Sequence, residues 1–180
     1  MKKATDALKR DHRVIERVLA VVERLTLGPA APLEVWEKAY DFIRNFADKC
    51  HHLKEEKILF PALEERGIPR DGGPIGMLLL EHEEARAYVR RMAEALERAK
   101  ADPEGAAPAL FENARGYLRL LKQHIAKEDE VLFVMADEAL TPEEQRELQE
   151  EFEEHEAREI GQGIHEKYLR IAQELEKSLE

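Results

Sequence analysis

A histidine-glutamate pair that occurs twice at one spacing constrains this chain more than any other feature. Glu55 follows His51 by four residues, and Glu128 follows His124 by four residues. In both copies an acidic residue comes next, and a run of two aliphatic residues and Phe ends the motif. Residues four apart on a helix lie one turn apart on the same face. Each pair can therefore reach one small object if both segments are helical.

A second repeat lies upstream of each pair and divides the chain into two similar halves. His12 follows Asp11 in the first half, and His82 follows Glu81 in the second. The interval from this histidine to the histidine-glutamate pair is similar in both halves. Two such halves, folded together, would bring four histidines and two glutamates to one place.

The composition favours helix throughout. Charged residues make up 37% of the chain and aromatic residues 6%, and Pro and Gly fall in clusters between long stretches rich in Ala, Leu, Glu and Arg. A chain of 180 residues can bury one sizeable core. We therefore predict an all-α protein: an antiparallel four-helix bundle in residues 1–139, with a C-terminal helical extension in residues 140–180 packed on it.

Capping residues and breakers place the helix ends. Thr5 is the predicted N-cap of the first helix, and Asp102, which precedes a proline, is that of the fourth. Thr141 and Glu144 form a predicted capping box at the start of the C-terminal region, which Gly161-Gln162-Gly163 interrupts. The first three helices are predicted at 5–27, 32–66 and 74–100.

Each histidine of the repeat falls on the apolar stripe of its helix. His12, for example, is in line with Leu8 and Ile15. One such histidine alone is more often a core or capping residue. An ionised carboxylate buried on the same stripe, as Glu128 would be, costs several kcal/mol without a partner. A metal ion supplies that partner, and the repeated order indicates a metal site.

The first copy allows two histidine-glutamate pairs at this spacing, because His52 and Glu56 are also four residues apart. The second copy has Ile125 at the position that matches His52. Only His51 and Glu55 are therefore matched in both halves. We predict that His52 flanks the site.

Several other polar residues near the repeat receive predictions of their own. His155 is predicted on the surface among acidic residues, and His165 borders an apolar face near the end of the bundle. Tyr117, on the stripe of His124, is a candidate hydrogen-bond donor to the site, although a plain core Tyr is the simpler reading. The acids around His82 are predicted to be solvated. They are Glu81, Glu83 and Glu84.

Imidazole together with carboxylate suits iron, manganese or zinc, and the absence of thiolate ligands argues against a structural zinc site. Six ligands are too many for one tetrahedral ion and fit two ions about 3.5–4 Å apart. Glu55 and Glu128 would bridge, with two histidines on each ion. Together with one bridging solvent oxygen, these donors leave about one of six octahedral positions open on each ion. The predicted metal ligands are His12, His51, Glu55, His82, His124 and Glu128.

The order of these ligands resembles the hemerythrin-like (HHE cation-binding) domain over residues 5–138. Ferritin-like di-iron bundles use Glu-x-x-His at a spacing of three, so that family is disfavoured. The motifs that carry the resemblance are Cys50-His51-His52-Leu53-Lys54-Glu55-Glu56 with Leu59-Phe60-Pro61, Pro74-Ile75-Gly76 before Glu81-His82-Glu83, and His124-Ile125-Ala126-Lys127-Glu128-Asp129. The resemblance implies an up-down four-helix bundle with a non-haem di-iron centre, oxo- or hydroxo-bridged, held by the six residues.

The chain departs from the oxygen-carrying hemerythrins at two positions. Those proteins carry a further histidine one turn after the third-helix ligand, where this chain has Arg86. They also take the fourth-helix carboxylate from an Asp one residue later than Glu128, which would be Asp129 here. The departure implies two nearly equivalent metals and argues against reversible oxygen carriage. Relatives with the symmetric site are associated with iron or oxygen sensing, nitric oxide or peroxide response, and repair of iron centres.

The net charge and the hydropathy of the chain limit the kinds of partner and the cellular location that can be expected. The net charge of −11 argues against nucleic acid or an anionic membrane as a partner. No apolar run approaches the length of a membrane span, the start of the chain lacks the apolar segment of a signal peptide, and the single Cys50 fits a reducing compartment. The sequence therefore predicts a cytoplasmic di-iron protein that binds or senses oxygen, nitric oxide or peroxide, or handles iron. A di-iron oxidase, peroxidase or repair factor is one alternative, and a metal-free structural bundle is another.

Overall fold

The computed structural model describes residues 2–180, and helices account for nearly all of them. No strand occurs in this range. The first helix is Ala4–Leu27 and the third is Pro74–Ala99. The predicted all-α class is confirmed.

The second and fourth helices each change geometry part of the way along. The second, 33–65, contains the segments Leu33–Phe42 (α), Ile43–His52 (π), Glu55–Leu59 (π) and Phe60–Glu65 (α). The fourth, 103–139, contains Pro103–Lys127 (α), Glu128–Leu132 (π) and Phe133–Ala139 (α). The wider π turns were not predicted, and such turns are frequent at functional sites.

The C-terminal region forms two more helices. The fifth, 142–160, consists of the α segment Pro142–His155 and the π segment Glu156–Ile160, and the sixth is Ile164–Lys177. Both pack on the first and second helices. The division of the chain at residue 139 stays a prediction. Within residues 2–180, no helix combines the length and the apolar character needed to cross a bilayer.

The predicted cap of the first helix is wrong, and the other caps are confirmed. Lys3 occupies the N-cap position, while Thr5 lies inside the helix and donates a hydrogen bond to Asp137 at 2.6 Å. The side chain of Asp102 caps the fourth helix. The predicted capping box at Thr141 is present, and it starts the fifth helix.

Two apolar clusters fill the interior at different levels of the helices. The upper cluster includes Phe42, Phe46 and Leu121, and the lower cluster includes Phe60 and Phe133. The first and third helices enter the lower cluster and then the upper, whereas the second and fourth do the reverse. This alternation is what successive helices running in opposite directions produce. The histidines and glutamates of the repeat lie between the two levels.

Candidate metal centre

Six buried side chains from four helices meet between the two apolar clusters. Their exposed fractions range from 0% to 2%. They form two groups, and within each group one donor atom of every residue lies within 4.8 Å of the others. The first group is His12, His51, Glu55 and Glu128, and the second is Glu55, His82, His124 and Glu128. The structure thus brings together all six predicted ligands, with both glutamates shared.

The Nε2 atoms of the four histidines face the two carboxylates. Nε2 of His51 is 3.2 Å from Glu55 Oε1, and Nε2 of His124 is 2.8 Å from Glu128 Oε1. Across the helices, Nε2 of His12 is 3.0 Å from Glu128 Oε2, and Nε2 of His82 is 3.3 Å from Glu55 Oε2. A π turn begins at each glutamate, so the sequence repeat is also a structural repeat.

Several of these inward atoms have no hydrogen-bond partner. Despite the short distances, both carboxylate oxygens of Glu55, Oε1 of Glu128 and Nε2 of His51 are buried and make no hydrogen bond of acceptable geometry. Buried polar atoms are nearly always paired, and an uncompensated carboxylate is expensive to bury. Cations bound between the two groups would use these atoms, and imidazole with carboxylate is a suitable donor set for iron, manganese or zinc. The residues present therefore fit a two-metal centre.

The Nδ1 atoms face outward, and each lies near a further carboxylate. Nδ1 of His12 is 2.7 Å from Asp129, and Nδ1 of His51 is 3.2 Å from Asp11. The corresponding distances are 3.5 Å from His124 to Glu81 and 3.8 Å from His82 to Glu56, and the second of these is too long for a hydrogen bond. Each carboxylate in turn contacts a cationic side chain; in the same order these are Arg13, Lys54, Lys127 and Arg86. Such a carboxylate favours the proton on Nδ1 and leaves the Nε2 lone pair for a metal.

The outer carboxylates correct one prediction. Glu81 was expected to be solvated, but it is 8% exposed and accepts a hydrogen bond from Lys127 at 2.6 Å. It is buried because it packs beside His124 rather than pointing away from the third helix. The acids Glu83 and Glu84 are exposed, as predicted.

The electrostatics of the cation-free site keep the histidines charged. Burial opposes the charge on His12, but hydrogen bonds to Asp129 and Glu128 outweigh it and raise the pKa to about 9. Burial also opposes the charge on His124, and the charge of Glu128 raises its pKa to about 9. Against the effect of burial, the neighbouring histidines hold the pKa of Glu128 well below its ordinary value. Metal binding at these histidines would therefore release protons.

His52 lies closer to the site than the sequence indicated. It is 2% exposed, and its ring stacks on that of His82 with 4.0 Å between centroids. One donor atom of His52 falls within 4.8 Å of donor atoms of His82 and His124. Burial and the neighbouring charge of His82 lower the pKa of His52 to about 3. The repeat could not single out this residue, because Ile125 occupies the matching position.

The remaining predictions around the site have mixed outcomes. The surface position predicted for His155 is wrong, because this residue shares the buried face of the fifth helix with Leu148 and Phe152 and is 1% exposed. His165 is half-buried, with its ring 5.3 Å from that of Phe46. Tyr117 is buried, and among residues 2–180 no hydrogen bond joins it to the six side chains.

Comparison with known proteins identifies the family. The model of the hemerythrin HHE cation-binding domain matches residues 3–136. Uncharacterized proteins of Mycobacterium bovis and Mycobacterium tuberculosis are each 28% identical to this chain over an alignment of 180 positions, which covers 98% of this chain and 70% of each relative. The iron-sulfur cluster repair protein YtfE of Salmonella schwarzengrund is 33% identical over 89 residues, covering 48% of this chain and 40% of that protein. Because the family match spans most of the chain, this protein belongs to the hemerythrin HHE cation-binding domain family.

Proposed function

We propose that this protein binds two iron ions in a non-haem di-iron centre, and that the centre binds or senses a small ligand such as oxygen, nitric oxide or peroxide. One observation carries the proposal: two buried glutamates are shared between two pairs of inward-facing histidines. His12 and His51 would hold one ion, and His82 and His124 the other. Glu55 and Glu128 would contact both.

The choice of iron rests on the donor set and on the relatives. Nitrogen and carboxylate donors without thiolates admit iron, manganese or zinc. The family is one of cation-binding domains, and one relative is an iron-sulfur cluster repair protein. Bound iron would supply electron exchange and open coordination positions for a small ligand. The cytoplasmic location predicted from the sequence is part of the same proposal.

The side chains around the centre would exclude water and hold protons in place. The ring of Phe133 stacks on His12 with 5.3 Å between centroids, and the ring of Phe60 stacks on His82 at 6.0 Å. These two residues come from the Phe positions that end the two repeats. The carboxylates at the Nδ1 atoms would keep each imidazole oriented while the ligand is exchanged.

A cleft of about 450 Å³ beside the centre favours a second candidate function. Its walls include Arg44, Arg90, Tyr40 and Tyr117, and its inner end reaches His52. No carboxylate of residues 2–180 lies within 4.0 Å of the guanidinium of Arg44 or Arg90. A substrate could enter here, so an oxidase, a peroxidase or a repair factor for iron centres is the alternative function.

Metal analysis of the full chain tests the proposal. Protein purified without added metal is expected to contain about two irons per chain and, after exposure to air, near-ultraviolet bands of a bridged ferric pair. If no metal is bound after dialysis against ferrous iron and the helices are intact, the proposed di-iron centre is refuted. Folding that is indifferent to chelators would then favour the metal-free structural bundle.

The two candidate functions differ in their reaction with peroxide. Steady turnover in the presence of a reductant supports the enzyme. A stoichiometric reaction that ends in a stable product supports sensing or binding.

A further inference from the structure

We infer that His52 is an additional metal donor and binds the ion held by His82 and His124. The centre would then carry three histidines on one side and two on the other. The inference rests on the proposed function, since it requires metal at the six-residue site. It replaces the expectation from the sequence that the two metal positions are nearly equivalent.

The first argument is the position of the imidazole. His52 is almost completely buried, and its Nε2 has no hydrogen-bond partner. Its ring is nearly parallel to that of His82, at an interplanar angle of 18°, and lies 5.5 Å from the ring of His124. The three histidines form a group of potential donors of their own. A buried nitrogen without a partner, beside two inward-facing imidazoles, is a donor that has no other use in the fold.

The second argument is the environment of Nδ1. Nδ1 of His52 lies 3.4 Å from Asp48, and the Nε of Arg86 donates to Asp48 at 2.9 Å. Each of the four proposed histidine ligands has the same arrangement: a carboxylate near Nδ1, and a cation on that carboxylate. The arrangement favours the proton on Nδ1 and turns the Nε2 lone pair towards the centre.

His155 shows that this arrangement is not general for buried histidines of the chain. It is as buried as His52, yet its Nε2 lies 3.2 Å from the backbone oxygen of Lys49. Its ring nitrogen is thus used by the protein itself. His52 shares its surroundings with the proposed ligands and not with this structural histidine.

Arg86 ties His52 to His82. The same guanidinium contacts Asp48, which faces His52, and donates to Glu56 at 3.0 Å, which faces His82. One cation therefore orients two imidazoles of the same group. Arg86, on the third helix, thereby supports a histidine of the second helix through Asp48.

The donor count gives the inference a measurable consequence. His82, His124 and the two shared glutamates form one group of four donors, and His12 and His51 form the other with the same glutamates. His52, which groups with His82 and His124, would raise the first count to five. With a shared solvent oxygen and six octahedral positions, the first ion is saturated and the second keeps one open position. A small exogenous ligand should therefore bind on the His12 and His51 side only.

Azide titration of the full-length diferric protein tests this count. The wild-type protein is expected to bind one azide per pair of irons, and His52→Ala is expected to bind two because a position opens on the second ion. The matched control is His155→Ala, which removes an equally buried histidine and should keep one azide per pair. Two azides in the wild type, or one azide in a His52→Ala variant that retains both irons, would overturn the inference.

Mössbauer spectroscopy of the wild-type and Asp48→Asn proteins covers the case in which His52→Ala does not fold. The wild type is expected to show two distinct quadrupole doublets. In Asp48→Asn one doublet should move, and the affinity for one of the two irons should fall by about 10–100-fold. A single doublet in the wild type, or identical spectra and affinities in both proteins, contradicts the inference and leaves the di-iron proposal intact. Absence of iron from the wild type would instead refute the proposed function.

Discussion

The two halves of the metal centre follow one sequence plan but have different surroundings. In the first half, His51 faces Asp11, and Lys54 donates to Asp11 at 2.7 Å. In the second half, Glu81 and Lys127 take the equivalent places beside His124. The side chain of Lys54 is 1% exposed, whereas that of Lys127 is 41% exposed. The repeat thus sets the contacts of each histidine but not their burial.

The fifth helix produces this difference. Glu156 accepts a second hydrogen bond from Lys54, at 2.6 Å, and Phe152 packs in the lower apolar cluster nearby. Burial opposes the charge on Lys54, but Asp11 holds its pKa above the ordinary value. The C-terminal region therefore seals the His51 half, and the His124 half keeps its cation near solvent.

Replacing a shared glutamate should have the largest effect on iron binding, because it removes a donor from both halves of the centre. In Glu128→Gln, the buried amide can no longer supply a negative oxygen to either group of donors. We expect the iron content to fall from about two per chain to one or none, with the helices retained. Metal analysis and circular dichroism measure the two quantities. Undiminished iron content in Glu128→Gln would show that Glu128 is not a metal ligand.

Replacing the two equivalent lysines, Lys54 and Lys127, should lower the free energy of unfolding by different amounts in the two halves. Lys54→Met leaves the buried Asp11 without its cation, and removing one partner of a buried ion pair costs about 3–5 kcal/mol. The matched variant Lys127→Met breaks a pair whose lysine is half-exposed, which is worth about 0–1 kcal/mol. Urea unfolding of the metal-free proteins gives both free energies. Equal losses would show that the fifth helix does not seal the first half.

The differences between the two halves show which features of the site the sequence could predict and which it could not. The six inward residues could be predicted from the sequence, because the spacing of four and the apolar stripes are both features of single helices. The sequence placed His52 only beside the site, because comparison of the two copies detects only what both contain, and Ile125 is its counterpart. His155 was placed on the surface from its acidic neighbours, although the apolar positions of the fifth helix turn it inward. Asymmetry between the halves comes from packing of distant segments, which the repeat does not encode.

The pH dependence of the metal-free protein should show that both halves depend on Glu128. The folded-state pKa values of His12 and His124 are raised from 6.5 to about 9, so their stabilisation is complete below pH 6.5 and is lost as the pH rises towards 9. The pKa of Glu128 is lowered from 4.5, so its stabilisation is lost as the pH falls below that value. The pKa of His52 is lowered from 6.5 to about 3, so stability is also lost at this residue as the pH falls below 6.5. The free energy of unfolding should therefore be highest at about pH 6–6.5.

Unfolding by urea across the pH range measures this profile. Glu128→Gln should flatten its alkaline side, because both histidines are stabilised by that carboxylate. A wild-type profile that stays level from pH 6.5 to 9 would contradict the charged state assigned to the metal-free site.

The smallest effects are expected from the carboxylates at the Nδ1 atoms, and they compare the halves most directly. Asp11→Asn and Glu81→Gln each remove the charge beside one proposed ligand, His51 or His124, and such changes lower metal affinity by about 10–100-fold. Asp11 is the closer partner and is buried with its cation, so Asp11→Asn should weaken iron binding more than Glu81→Gln does. Competition with a chelator measures the two affinities. A larger loss in Glu81→Gln would mean that burial by the fifth helix supports the fold and has no influence on the metal.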